Sequence, residues 1–293
     1  MSERRLWPAV AALILLSLIW GYNWVVMKRV LHYVDPVDFT ALRLLFGMLA
    51  LFVVMLLRGV SFRLAAPGAT IVLGLLQCGA FSLLIQLAVV NGGAGKTAVL
   101  VYLMPFWLLP MAWLLLDERI RGYQWVAIAL GAVGLVCVLE PWALQATLAS
   151  NALALLASVI WAVSAVYAKR LRNRVRLNVL SLTAWQMLFG TIAVCTAALL
   201  LPSRPIEPSA YFIGALVYNA LFATGLAWLL WLYVLGHLPA GVAGLSSLGV
   251  PAVGVLSAWI ELGEQPSLAE GAGMLLIAAA LILLSWLATR RAT

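Results

Sequence analysis

Two tryptophans deep in apolar runs are the first residues of this sequence that could recognise a small molecule. Trp20 lies about midway along a run that ends at Val30, and Trp161 lies about midway along another that ends at Lys169. A buried indole N–H favours a hydrogen-bond partner, and its ring offers a flat surface for stacking or cation–π contacts. We therefore expect both rings to line a cavity suited to flat apolar or cationic molecules.

Neutral polar residues accompany the two tryptophans. Asn23 follows Trp20 by three residues and Ser164 follows Trp161 by three, so each pair shares one helical face. Polar side chains are costly inside apolar spans, and those that occur there usually face a cavity or another helix. Hydrogen bonding between helices is thus the alternative role for each of them. The further candidates for substrate binding are Gln77, Phe81, Tyr102, Tyr218, Asn219 and Ser246.

Two prolines within apolar runs are candidate gating elements. Pro105 and Pro251 each remove a backbone hydrogen bond, and the freed carbonyl then needs another partner, often in a cavity. They stand at matching depths of two runs, with several glycines nearby. We interpret them as paired hinges that open and close a pathway, and plain packing kinks are the alternative.

Charged residues are nearly absent from the middle of the apolar runs. Arg43 is the one basic residue away from the ends of a run, and extension of its side chain to the lipid headgroups is the favoured role, with a substrate carboxylate as the alternative partner. No Asp or Glu occupies the central part of a run. Because carboxylate relays are the usual sign of proton coupling in a membrane, facilitated efflux, or coupling through groups nearer the ends, is favoured.

The segment Gly92–Thr97 reads GGAGKT and is close to a phosphate-binding loop. It lacks the first glycine of that motif, because Val90 stands in its place, and no strand precedes it. We predict a tight turn between two apolar runs, with Glu264 and Glu118 as capping groups at the two membrane faces. No cofactor or metal site is expected, since the sequence has neither an HExxH motif nor paired metal-binding cysteines.

The elements that must position these residues are apolar runs long enough to cross a bilayer. Hydrophobic residues make up 65% of the 293-residue chain and charged residues 10%, whereas a soluble domain carries roughly 25% charged residues. This composition excludes a soluble enzyme, a disordered regulator and, despite the net charge of +8, a nucleic-acid-binding protein. A spanning helix needs about 20 apolar residues. The predicted spans are 8–30, 37–57, 68–91, 95–116, 123–141, 151–169, 178–201, 210–236, 241–263 and 268–288.

Basic residues are distributed unevenly between the two ends of these spans. With a cytoplasmic N-terminus, thirteen basic residues lie inside and four lie outside. This positive-inside bias predicts that both termini are cytoplasmic. The four on the outer side are Lys28, Arg29, Lys96 and Arg204.

Three ordered sequence matches indicate an internal duplication. Because each half holds five spans, an odd number, the second half enters the membrane from the opposite side, as in the inverted repeats of secondary transporters. We therefore predict an all-α membrane protein of ten helices, with residues 1–144 and 145–293 as five-helix repeats of one structural unit. The matches pair Trp20–Arg29 with Trp161–Arg170, Ala41–Gly47 with Ala184–Gly190, and Pro105–Glu118 with Pro251–Glu264.

The tandem halves, the mid-span tryptophans and the proline-to-glutamate segments resemble the drug/metabolite transporter superfamily, and more narrowly its ten-helix EamA-type exporters. That resemblance covers nearly the whole chain and implies a bacterial inner-membrane exporter of small metabolites, with amino acids as a frequent substrate class. The chain is similar to the branch that exports aromatic and other neutral amino acids, to which the closing Trp286–Arg291 adds support.

The residues and the resemblance together predict a multi-pass exporter, not an enzyme, that works by alternating access around a central cavity. Its expected partners are a small-molecule substrate, such as an amino acid, and the lipid bilayer, and a monomer is favoured. Three alternatives stay open at this point. One is a structural or partner-stabilising membrane protein, against which the polar residues within the spans argue. Another is an exporter of other small drugs or metabolites. The third is a membrane enzyme for lipid-linked substrates, which would need convergent acidic or histidine residues at one interface.

Overall fold

The chain is all-helical throughout the part that the structure describes. The computed structural model describes residues 3–104, 106–107, 110–111, 114, 122–139, 148–175, 178–227, 230 and 249–290. Five of its helices are long and apolar enough to cross a membrane, and four shorter apolar helices accompany them. The chain is therefore built as a multi-pass membrane protein.

Proline and polar residues set the beginnings of several of the described helices. Pro36 and Pro67 open α2 and α3, where a proline costs no helical hydrogen bond. Asn178 and Ser209 cap α7 and α8 by accepting backbone N–H bonds. The helices are α1 (Glu3–Arg29), α2 (Pro36–Leu57), α3 (Pro67–Asn91), α4 (Ala94–Val101), α5 (Gln124–Leu139), α6 (Leu148–Arg174), α7 (Val179–Leu200), α8 (Ala210–Leu226), α9 (Gly249–Leu262) and α10 (Leu268–Arg290).

The predicted spans agree with these helices where the structure describes them. The predictions for 8–30, 37–57, 68–91, 151–169 and 178–201 coincide with the five long apolar helices. The predictions for 123–141, 210–236, 241–263 and 268–288 overlap the four shorter ones. The span 95–116 begins within α4 and continues largely outside the described residues.

Two helices contain a π-helical segment that the sequence analysis did not predict. Gly74–Ala80 is π-helical within α3, and Tyr218–Leu226 is π-helical within α8. A π-helical turn widens the helix and shifts its hydrogen-bonding pattern, and such turns are frequent at functional sites. The two segments begin 144 residues apart, close to the offsets of the sequence matches. The interruption therefore occurs at equivalent places in the two halves.

Each π-helical segment packs closely against a glycine of another helix. A Cβ atom added to Gly47 of α2 would lie 2.5 Å from Thr224 Cγ2 of α8. A Cβ atom added to Gly190 of α7 would clash with Cys78 and lie 2.8 Å from the backbone nitrogen of Gly79 in α3. Small residues allow membrane helices to approach at backbone distance, which supplies the van der Waals contact that holds them together.

A third close contact joins α5 to α10 through reciprocal glycines. A Cβ atom added to Gly134 would lie 2.8 Å from the carbonyl oxygen of Gly273, and one added to Gly273 would lie 2.6 Å from the carbonyl oxygen of Gly134. Each glycine thus faces the carbonyl oxygen of the other, and a two-fold relation between two helices produces such paired contacts. Within the described residues, α1 packs similarly on α9, where Gly21 meets Val253.

Gly190→Ala is expected to destabilise the protein by about 1–3 kcal/mol, because the new methyl group has backbone atoms of α3 in its path. The matched control is Gly214→Ala in α8, where an added Cβ meets nothing within 4 Å. That control should leave stability unchanged or raise it, since alanine favours a helix over glycine by about 0.5–1 kcal/mol. Thermal unfolding in detergent measures both, and equal midpoints would contradict the packing role of Gly190.

Candidate functional site

A cavity of about 120 Å³ lies among α1, α2, α3, α4, α6, α7 and α8. It is smaller than the roughly 300–1,000 Å³ of a typical ligand pocket, so its walls must separate before they can enclose a metabolite. Residues from both halves of the chain line it. The lining residues used below are Trp20, Asn23, Trp24, Arg43, Gln77, Phe81, Ser82, Tyr102, Trp161, Ala223 and Thr224.

Three aromatic rings form one wall of this cavity. The ring centroids of Phe81 and Trp161 are 5.3 Å apart, and Tyr102 meets Trp161 edge to face at 5.5 Å. Each ring comes from a different element, namely α3, the C-terminal end of α4, and α6. Edge-to-face and tilted contacts at these distances are favourable. The cluster is an assembled apolar wall whose rings stand at different angles, 45° between Phe81 and Trp161 and 89° between Tyr102 and Trp161.

Trp20 finds its hydrogen-bond partner inside the π-helical segment of α8. The indole Nε1 donates to the carbonyl oxygen of Ala223 at 2.8 Å. A carbonyl is open to such a donor because the π-helical pattern disturbs the ordinary i to i−4 bonding. Thr224, the next residue, also lines the cavity. The bond therefore joins a helix of the first half to a helix of the second at the cavity wall.

Arg43 lies at the cavity and not at the lipid headgroups, so the prediction that its side chain extends to the membrane surface is wrong. It is only 6% exposed, and its Nη2 donates to the carbonyl oxygen of Ser82 at 3.1 Å. Its Nε has no hydrogen-bond partner. Interior packing of α2 against α3 and α8 directs this side chain inward, which its sequence position near the end of a span did not reveal. The cavity consequently carries a positive charge.

Six of the predicted substrate-binding residues line this cavity: Trp20, Asn23, Gln77, Phe81, Tyr102 and Trp161.

Three other predicted residues lie away from the cavity lining. The hydroxyl of Ser164 donates to the carbonyl oxygen of Trp161, and the hydroxyl of Tyr218 donates to the carbonyl oxygen of Ile19. The side-chain amide of Asn219 donates to the carbonyl oxygen of Ala215. These groups therefore hold helices together or bond along their own helix.

The structure describes one of the two predicted gating prolines, Pro251. Pro251 lines a separate apolar groove between α9 and α10, which Tyr102 also borders. Pro105 and the predicted substrate-binding residue Ser246 lie outside the described residues.

Sequence reasoning missed several residues of the cavity. Trp24 follows Asn23 directly, and Ser82 follows Phe81, but neither position carried a signal beyond its neighbour. Arg43 did carry one, because a single basic residue inside an apolar span is costly unless something compensates for it.

Comparison with known proteins identifies the family. A model of the EamA-like transporter family matches the chain twice, over residues 7–140 and 148–286. The chain belongs to the EamA-like transporter family. It is thus a member of the drug/metabolite transporter superfamily, as the sequence motifs indicated.

The EamA-like transporter is similar to several curated proteins over nearly its whole length. It is 26% identical over 285 residues to the uncharacterized transporter YoaV of Bacillus subtilis, covering 95% of this chain and 97% of that protein. It is 28% identical over 278 residues to a probable amino-acid metabolite efflux pump of Salmonella typhimurium, covering 92% and 91%. A protein known from a crystal structure superimposes with a TM-score of 0.68 at 19% identity, over 97% of this chain and 99% of its own, and shows the shared fold.

These findings make the protein a membrane transporter of small metabolites. Its relatives carry the names of transporters and efflux pumps, which agrees with a protein that is not an enzyme.

One end of the EamA-like transporter is held together by ion pairs between the two halves. Arg29 bonds to Glu261 at 2.9 Å, Lys96 to Glu270 at 2.7 Å, and Arg204 to Asp35 at 3.4 Å. Within the described residues, these pairs all lie at the end where α1 meets α2 and α9 meets α10. We call them the end-pair network.

Lys28 completes this end of the transporter. Its Nζ donates to the carbonyl oxygens of Val89, Val90 and Gly92, at distances of 2.8 to 2.9 Å. These carbonyls end α3 and have no partners within the helix. The four basic residues predicted on the outer side thus each bond to a carboxylate or to a helix end. These bonds give a structural role to the basic residues that do not follow the positive-inside distribution.

Glu264 caps α4 across the boundary between the halves. Its carboxylate accepts the backbone N–H groups of Ala94 at 3.0 Å and Gly95 at 3.2 Å. The prediction that Glu264 is a capping residue is confirmed. These amides belong to the GGAGKT segment, so a protein carboxylate occupies the place that a phosphate takes in a nucleotide-binding loop. Glu118 lies outside the described residues.

Glu264→Ala is expected to lower stability by about 0.5–2 kcal/mol, because it leaves the first amides of α4 without their cap. The matched control is Glu207→Ala, which removes an exposed carboxylate from the connection between α7 and α8. Thermal unfolding of the purified transporter gives the difference. Equal unfolding midpoints for the two variants would show that the cap contributes nothing.

Proposed function

We propose that this EamA-like transporter exports amino acids with aromatic or neutral side chains by alternating access around the central cavity. The observation that carries the proposal is the aromatic wall of Phe81, Tyr102 and Trp161 beside neutral polar groups and a guanidinium. An aromatic ring stacks on such a wall, while hydrogen-bonding groups orient the polar end of the same molecule. The names of the probable amino-acid metabolite efflux pumps among its relatives support this substrate class.

Alternating access is supported by the equivalence of the two halves. The π-helical segments of α3 and α8, the contacts of Gly47 and Gly190, and the reciprocal pair Gly134 and Gly273 follow one pseudo-two-fold pattern. Ten spanning helices in two inverted repeats, 1–144 and 145–293, account for this pattern. Exchange of conformation between the halves then exposes the cavity to each side in turn.

The end-pair network is the closed barrier on one side of the cavity. With both termini cytoplasmic, this barrier faces outward, and its ion pairs have to separate before a substrate can leave. The Arg29–Glu261 pair is partly exposed, with its side chains 39% and 28% accessible. Exposed ion pairs are worth about 0–1 kcal/mol, so this pair separates at little cost, whereas the Lys96–Glu270 pair is mostly buried, with side chains 10% and 16% accessible. Placement in a bacterial inner membrane agrees with the name of the relative YedA, an inner membrane transporter of Escherichia coli.

Two other functions remain as alternatives to test. An exporter of other drugs or metabolites would use the same cavity with a different flux spectrum. An enzyme for lipid-linked substrates would need clustered acidic or histidine groups, and no such group of three or more that could hold a metal occurs in the residues that the structure describes.

Export is tested by loading proteoliposomes with labelled phenylalanine, tryptophan or leucine and measuring efflux with and without a proton gradient. We expect saturable flux, as a carrier that alternates access around one site gives. Trp161→Ala should lower this flux about twofold to tenfold, because it removes the ring that the substrate contacts and one aromatic contact is worth roughly 0.5–1.5 kcal/mol. Trp20→Ala should lower it as well.

Trp259→Ala is the matched control for these flux measurements, since Trp259 is 51% exposed on the outside of the bundle. It should retain the flux of the unaltered protein. Flux that is unchanged in Trp20→Ala and Trp161→Ala would contradict the cavity as the substrate site. Absence of flux for all three amino acids would contradict the proposed substrate class.

Orientation is tested with single cysteines in a cysteine-free background. Ser203→Cys, between α7 and α8, should react with a membrane-impermeant thiol reagent added to intact cells, whereas Val175→Cys, after α6, should react only after permeabilisation. Both positions are exposed, so accessibility from the bulk solvent decides the result. Labelling of Val175→Cys in intact cells would overturn the predicted topology.

A further inference from the structure

The cavity contains a buried positive charge without an acidic partner. Arg43 is 6% exposed, and no Asp or Glu bonds to it within the described residues. A guanidinium has five N–H donors, and the carbonyl oxygen of Ser82 accepts from Nη2. The Nε donor has no partner. Burial of such a group is costly unless a counter-charge arrives.

The location of this charge restricts what the counter-charge can be. Arg43 and the aromatic wall line the same cavity. Arg43 also bonds to the backbone carbonyl of Ser82, the residue that follows Phe81, so α3 holds both the charge and one ring of that wall. A molecule that joins an apolar or aromatic group to a carboxylate can occupy both at once. A cationic molecule would instead place a second positive charge in a medium of low dielectric constant, where repulsion is strong.

We propose that Arg43 is the carboxylate-binding residue of the cavity, so that the transported class is small apolar or aromatic molecules with a free carboxylate. A carboxylate accepts two parallel N–H bonds from a guanidinium, which gives both strength and orientation. This inference rests on the proposed function and specifies which end of the substrate the cavity recognises. It replaces the expectation of flat cationic substrates that the aromatic residues alone suggested.

A second unpartnered group agrees with this specificity. The Oδ1 oxygen of Asn23 is buried without a hydrogen-bond partner, and Asn23 lines the same cavity. A buried acceptor without a donor costs about 1–3 kcal/mol, and the ammonium group of an amino acid is a donor that can satisfy it. Arg43 and Asn23 thus provide the donor and the acceptor that a zwitterion requires.

The test compares binding of phenylpropionate with that of its neutral amide, which has nearly the same shape. Labelled phenylpropionate bound to the full-length transporter in detergent is displaced by unlabelled phenylpropionate, by the amide or by chloride. The unaltered protein should bind the carboxylate about tenfold to a hundredfold more tightly than the amide, because the amide has no negative charge and places an NH2 donor where the second carboxylate oxygen would accept from the guanidinium. Chloride at equal concentration should not compete.

Two variants assign this preference to Arg43. Arg43→Gln should abolish the preference for carboxylate over amide, whereas Arg43→Lys should retain part of it, since lysine keeps the charge but not the paired geometry. Arg58→Gln is the matched control, because Arg58 lies at the exposed end of the same helix. It should bind like the unaltered protein.

Each outcome separates this inference from the proposed export of amino acids. Equal binding of carboxylate and amide by the unaltered protein overturns the role of Arg43, and this result needs no folded variant. A preference that survives Arg43→Gln, or that chloride removes, overturns it as well. A preference that depends on Arg43, without amino-acid flux in proteoliposomes, refutes amino-acid export and supports carboxylate recognition.

Discussion

The whole cavity depends on the approach of α2 to α8 and of α7 to α3 at backbone distance. A hydrocarbon environment supplies no hydrophobic force between helices, so close van der Waals contact must hold the bundle together. Gly47 and Gly190 permit that contact. Both meet a π-helical segment, and those segments carry the cavity residues Gln77, Cys78, Ala223 and Thr224. A larger residue at either glycine would displace the cavity wall itself.

The polar groups of this chain illustrate how a membrane protein meets the demand that every buried donor and acceptor be paired. Most are satisfied locally or between helices, as with the hydroxyl of Tyr218 on the carbonyl oxygen of Ile19. Helix ends at the membrane surface are satisfied by Lys28 and Glu264. The exceptions that line the cavity, Arg43 and Asn23, are the groups left for a ligand.

The sequence revealed the helices and much of the cavity because the signals were strong and local. Apolar runs of spanning length predicted the long helices, and depth within a run predicted Trp20 and Trp161 as cavity residues, which do line the cavity. The π-helical segments could not be predicted, since their widened turns arise from packing against another helix. The direction of the Arg43 side chain was hidden for the same reason, and Ser164 found a bond within its own helix.

The buried guanidinium that lines this small cavity also bears on how well the membrane retains its ion gradients. A fixed positive charge in a narrow pathway is a barrier to hydronium and sodium ions, as it is in water-selective channels. The cavity volume of about 120 Å³ leaves room for only a short file of water. A transporter built in this way can pass an organic solute through the bilayer while the bilayer keeps its voltage and its pH gradient.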